Sequence, residues 1–165
     1  MQTTLFETPA RRGLPAAHAI DPASCAHPRA AEPDPDDDFV AMLGAYRCSG
    51  GLARADEVVS RLEQGRGPGL ATLARWVVER NVISFEWRGE TWLPWFQFKP
   101  AGHVPAPALV AVLAELSAVY DGWELAHWFA RPNSALAGRT PVDVIGADAD
   151  AVRQAARADR FVAKG

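Results

Sequence analysis

A chain of 165 residues with 48% hydrophobic side chains has material for one sizeable core or two small ones in contact, since isolated domains below about 60–70 residues are marginal. The longest apolar stretch, Leu109 to Val119, is broken by Glu115 and Ser117, well short of the ~18 continuous apolar residues of a membrane-spanning helix. A formal net charge of −3 argues against a strongly basic nucleic-acid binder, although the middle of the chain, residues 39–99, is mildly basic with 8 cationic and 6 acidic groups.

The first residues show no basic segment leading into an apolar one, which predicts a cytoplasmic protein with no membrane association. Cys25 and Cys48 form no framework of spacings, so neither is expected to be paired. Residues 1–37 carry six prolines and an acidic run ending at Asp38, without apolar periodicity. Such a composition cannot offset its ordering entropy and predicts a disordered N-terminal tail.

From Phe39 the apolar groups Phe39, Val40, Met42 and Leu43 fall at helical spacing, with the aspartates placed to favour a helix N-terminus. After Gly50-Gly51, the segment Leu52–Leu62 repeats the helical period through Val58, Val59 and Leu62. A glycine-rich turn at residues 64–69 separates it from a second helix over about 70–80, stopped near Asn81. The period then changes to two. Val82, Ile83, Phe85 and Trp87 lead to Arg88-Gly89, and Thr91, Trp92 and Leu93 return, which predicts a hairpin.

Beyond Pro105 the chain reads as wholly helical. Leu109, Val110, Val112, Leu113 and Leu116 form one amphipathic face. Asp121 with Glu124 makes a capping box for the next helix, and Thr140-Pro141 opens a short one. A last helix is predicted over about 149–159, leaving residues 160–165 as a C-terminal tip. The expected fold is mainly α: residues 38–100 a small helix-turn-helix with a β-hairpin wing, and residues 101–165 a helical bundle.

The string from Asp121 to Ile145, with Trp128-Phe129 closing a helix, the Pro132-Asn133 break, Leu136, Gly138, and Pro141 opening a helix that holds Asp143 and Ile145, resembles the Xre/MbcA/ParS-type antitoxin domain. That resemblance extends over about the last 60 residues. It implies a toxin-binding domain whose partner is a RES-type, NAD-degrading toxin, with a C-terminal extension able to block the toxin's cleft. It thereby points to Arg157, Arg160, Phe161 and Lys164 as toxin-contacting residues, against the blander expectation that Phe161 packs on the bundle while the cations stay solvated. The middle module resembles the winged helix-turn-helix or excisionase-like module that often precedes this domain. On that likeness Thr72, Arg75 and Arg80 would face the DNA major groove and Arg88 the backbone or minor groove of an operator, bound by a homodimer. A degenerate module used only for packing or dimerisation is the alternative, because Glu79, Glu86 and Glu90 lie close to those arginines.

Catalytic chemistry finds no foothold. Gly65-Arg66-Gly67-Pro68-Gly69 lacks the Lys-Ser/Thr pair of a phosphate loop and follows a helix. The histidines and cysteines have no metal-ligand spacing. His127, with Glu124 and Trp123 a turn earlier, has no nucleophile beside it and reads as a core or boundary histidine. The tryptophans alternate with glutamates and read as core, not as a base-stacking platform. The expected function is therefore an antitoxin-like regulator without catalytic residues, metal or cofactor; a stand-alone DNA-binding regulator or adaptor lacking a toxin is the alternative.

Overall fold

The computed structural model describes residues 35–98 and 103–165. The predicted tail therefore lies outside the described residues as far as residue 34. Helix α1 opens at Pro35 and runs through Tyr46, so Asp36, Asp37 and Asp38 occupy its first turn, where their charge opposes the positive end of the helix dipole. Proline at the first helical position gives up no intrahelical hydrogen bond. Phe39, Met42 and Tyr46 face inward from α1 and are buried.

A 3-10 turn and the left-handed Gly50 and Gly51 end this helix and turn the chain into strand β1, Leu52–Arg54. Here the structure departs from the reading of Leu52–Leu62 as one helix. Helix α2 starts at Ala55 and ends at Gln64, because the Glu57 carboxylate accepts the Arg54 N–H at 3.2 Å and caps the chain there. Leu52 to Arg54 instead pair with a strand that comes about 40 positions later.

Helix α3, Leu70–Val78, follows the glycine turn. Strands β2, Phe85–Trp87, and β3, Glu90–Pro94, then form the predicted hairpin. Arg88 and Gly89 both take positive φ, 51° and 79°, the geometry of a two-residue turn whose twist matches that of paired strands. The sheet is antiparallel in the order β1-β3-β2. Val82 and Ile83, expected within the hairpin, precede it. Buried Ile83 is held instead by the Gln97 side chain, which accepts its N–H at 2.7 Å and donates to its carbonyl at 3.1 Å. A side-chain amide thus supplies both halves of a missing backbone pairing.

Four helices complete the chain: α4, Pro107–Leu116; α5, Gly122–Ala130; α6, Pro141–Val144; and α7, Ala149–Lys164. The two predicted caps are present. Asp121 and Glu124 exchange backbone-to-carboxylate hydrogen bonds of 2.8 Å each, and Thr140 accepts the Asp143 N–H ahead of Pro141. Gly122 is required by close packing, since a Cβ there would strike the Ser84 carbonyl oxygen. Helix α7 does not stop near residue 159; nothing in Arg160-Phe161-Val162-Ala163-Lys164 breaks it before Gly165.

The fold is mainly α. One apolar cluster gathers Phe39, Met42 and Tyr46 of α1 and Phe85 of β2 with the buried faces of α4, α5, α6 and α7. A smaller one joins Ala53, Val58, Leu62, Leu73, Leu93 and Phe98 beneath α2 and α3. The tryptophans belong to this packing. Trp87 stacks on Phe39 with ring centroids 3.8 Å apart, and Trp92 meets the same ring edge-on at 5.1 Å. The hairpin is thereby fastened to α1.

Candidate protein-binding site

Helix α7 has two working faces. Its inward stripe, Val152, Ala155 and Ala156, is buried, and the next position on that stripe is Asp159. The Asp159 carboxylate accepts the Trp128 indole N–H at 2.7 Å and the Asn133 amide at 2.9 Å, both on Oδ2. It thus pins the end of α5 and the Pro132-Asn133 break to α7. Asn133 also receives the Ala135 N–H at 2.9 Å on its side chain and the Gly138 N–H at 3.0 Å on its backbone carbonyl, which closes the loop into α6.

The continuation of α7 to Lys164 places Arg157, Arg160, Phe161 and Lys164 at i, i+3, i+4 and i+7, a single stripe. The four candidate toxin-contacting residues are therefore brought together on a helix, not on an extended tip. Phe161 is 82% exposed and Val162 beside it 76%, so Phe161 does not pack on the bundle. The arginines are partly tied down: Arg157 donates to Glu115 Oε1 at 2.7 Å, and Arg160 reaches Oε2 of the same carboxylate at 2.6 Å. The hydrogen bond from Arg157, helped by the charge of Arg160, holds the Glu115 carboxyl below its ordinary range despite partial burial.

The four candidate DNA-contacting residues are not gathered in this way. Arg75 is exposed on α3 and, among the described residues, makes no ion pair, while Thr72 on the same helix is half-buried. Arg80 has left the helix at a positive φ and donates to the Ser117 carbonyl. Arg88 pairs with Asp36 and lies over the Trp87 ring, 4.6 Å from its centroid. Leu70 and Val78 on α3 are 64% and 82% exposed.

Between α1, α5, the 131–133 loop and Asp159 lies a cavity of about 520 Å³, which the sequence reading did not anticipate. Tyr120, Trp123 and Trp128 supply its aromatic wall, and Asp38, Glu124, Arg131 and Asp159 its charges. His127 also lines it. That residue is 8% exposed, its ring lies 5.0 Å from that of Trp123, and its Nε2 is buried without a hydrogen-bond partner among the described residues. Burial, reinforced by the nearby Arg131 charge and opposed by Asp38, lowers the imidazole pKa and favours the neutral ring. One signal for this site was present in the sequence: a carboxylate at position 159 on a stripe otherwise made of Val152, Ala155 and Ala156.

The described C-terminal helices form a small bundle with a capped α5, a short α6, an exposed stripe on α7 and a cavity lined by aromatic and charged side chains. Residues 115–155 match the family model of the antitoxin Xre/MbcA/ParS C-terminal toxin-binding domain, so the C-terminal part of the chain carries that domain. The match begins at Glu115 and ends at Ala155, just before the exposed stripe of α7, and is shorter than the 60 residues expected. It does not reach α1, α2, α3 or the sheet. No curated protein and no solved structure matches the chain. No helix among the described residues is long and apolar enough to cross a membrane.

Proposed function

We propose that this protein is an antitoxin-type regulator, not an enzyme, whose C-terminal helical domain binds and neutralises a RES-type, NAD-degrading toxin in the cytoplasm. The observation that carries the reading is the toxin-binding family match over residues 115–155. The exposed stripe at the end of α7 supports it further: Phe161 is a large aromatic group left 82% exposed on a surface flanked by Arg157, Arg160 and Lys164. Aromatic and arginine side chains of this kind anchor protein interfaces. Docking of an acidic surface would draw the arginines off Glu115 or extend their pairing to it.

The decisive test is co-expression with the toxin encoded beside this gene. The intact protein is expected to relieve toxicity, and removal of residues 160–165 to abolish relief while leaving the thermal unfolding of the protein nearly unchanged. Full protection by the truncated protein would remove the stripe from the interface. The absence of any RES-type partner in the gene neighbourhood and in pull-downs would overturn the toxin reading itself.

A second role is supported by the order α1-β1-α2-α3-β2-β3 with the sheet order β1-β3-β2, the arrangement of a helix-turn-helix with its wing. In this reading a homodimer binds its own operator. Thr72, Arg75 and Arg80 face the major groove, with Arg80 turning from Ser117, and Arg88 turns from Asp36 to the backbone or minor groove. Replacing Arg75 and Arg88 together by alanine should weaken operator binding and lower its dependence on salt. Salt-independent or absent DNA binding by the intact protein would leave the module a packing or dimerisation element.

A further inference from the structure

The cavity beside α5 combines two properties that select for one kind of occupant. Its wall is aromatic, from Tyr120, Trp123 and Trp128, and its charge is acidic, with three carboxylates against one guanidinium. Arg131 is already paired with Asp38 at 3.5 Å, which leaves Glu124 and Asp159 without a cationic partner among the described residues. The donors that these two carboxylates do have are neutral: a backbone N–H on Glu124 Oε2 and an indole and an amide on Asp159 Oδ2. Such donors fix the orientation of a carboxylate without cancelling its charge. In each case the other oxygen has no hydrogen bond among the described residues.

The two charges converge on the same space. Tyr120 feels both, its hydroxyl being pushed above its ordinary pKa first by burial and then by Asp159 and Glu124. No three His, Cys, Asp or Glu side chains among the described residues converge closely enough to hold a metal ion. An extended organic cation fits better than a point charge, and a guanidinium fits best. Its plane can lie on an indole face while its fork of N–H groups reaches separate carboxylate oxygens. An ammonium can satisfy only part of this arrangement.

We infer that this cavity is a socket for an arginine side chain presented by the protein partner of the toxin-binding domain. The inference rests on the toxin-binding reading for the source of that arginine. The α7 stripe and the socket then act as opposite halves of one interface: the stripe offers cations and a ring to the partner, and the socket takes a cation from it. Asp38 and Asp159 lie outside residues 115–155, so two of the three carboxylates are supplied by parts of this chain that the family match does not cover.

The test uses the full-length protein labelled with ¹⁵N and two probes, N-acetyl-arginine methylamide and its neutral counterpart N-acetyl-citrulline methylamide. The arginine probe should move the indole N–H resonances of Trp123 and Trp128 saturably, and the citrulline probe should bind at least ten-fold more weakly. The double variant Glu124→Gln, Asp159→Asn keeps the side-chain shapes and acceptor oxygens and should lose the arginine response. If that variant does not unfold cooperatively, Glu124→Gln alone serves, with a weakened response expected. An equal response to citrulline, an undiminished response in the variant, or no response to arginine overturns the socket.

The partner arm separates the two readings. The variant should capture the neighbouring toxin at least ten-fold more weakly than the unaltered protein. Equal capture overturns the socket and leaves toxin binding intact, whereas an unaltered protein that binds the arginine probe but captures no toxin overturns the toxin reading and leaves the socket.

Discussion

The Tyr46 hydroxyl, at the end of α1, donates to the Ala126 carbonyl in α5 at 2.7 Å, across 80 positions of sequence. Both groups are buried, and burial holds the phenol in its neutral form by raising its pKa well above 10.0. Tyr46 to phenylalanine is expected to cost about 1 kcal/mol, a fall in melting temperature of about 3 °C. The raised pKa adds a sign that can be checked. Folding disfavours the phenolate, so stability present below pH 10.0 is lost as pH rises beyond it. The phenylalanine variant should lose less stability than the unaltered protein over that alkaline range. An equal loss would mean that Tyr46 ionises without unfolding the contact.

Gln97 to leucine should be more damaging than its conservative volume suggests. The substitution leaves the N–H and carbonyl of fully buried Ile83 without the partners they have at 2.7 and 3.1 Å. Each stranded group costs about 1–3 kcal/mol, and the expected loss is about 3 kcal/mol in denaturant unfolding. A loss below about 1 kcal/mol would show that water or a shifted backbone replaces the amide.

Gly122 to alanine tests the approach of α5 to Ser84. In an open helix this change stabilises by about 1 kcal/mol through helix propensity. Here the added methyl meets the Ser84 carbonyl oxygen, a backbone atom that cannot swing aside. Destabilisation of about 2 kcal/mol is expected. A stabilised protein would mean that the loop before β2 moves freely.

His127 sets a pH dependence on the acidic side. Its folded pKa lies below the ordinary value of 6.5, so between that value and the folded one the unfolded chain binds more protons. The stability contributed by the neutral imidazole is complete above pH 6.5 and is lost as pH falls through the folded value. Thermal unfolding followed from pH 7.5 to about 5 should therefore decline more steeply for the unaltered protein than for His127→Gln. Parallel curves would mean that the ring protonates without cost.

The parts of the fold that could be read from sequence are those set by chemistry within one helical turn. The Asp121–Glu124 box, Thr140-Pro141 and Arg88-Gly89 act on neighbouring backbone groups, and each stands where its residues predict. Strand β1 was not legible. Leu52 fits a helical stripe as well as a strand, and the choice was made by its pairing with Pro94 in β3. Helix α7 runs beyond the span of about 149–159 that its pattern predicts, because nothing between Asp159 and Gly165 stops a helix. On the longer helix Arg160, Phe161 and Lys164 share a face with Arg157.

For the site, sequence alone carried the family match over residues 115–155 and the chemical types on the exposed stripe of α7, an aromatic ring and three cations, beside a carboxylate that interrupts the apolar stripe. Only the tertiary structure decided which charges would meet. Glu115 lies 42 positions before Arg157, and Trp128 lies 31 before Asp159. Their encounters depend on how α4 and α5 pack against α7, which is set by the shared core of Phe39, Tyr46, Leu113, Phe129 and Val152. A cap is determined by the few bonds between two neighbours. A socket is determined by the relative placement of whole elements, to which every buried side chain contributes and which no local pattern encodes.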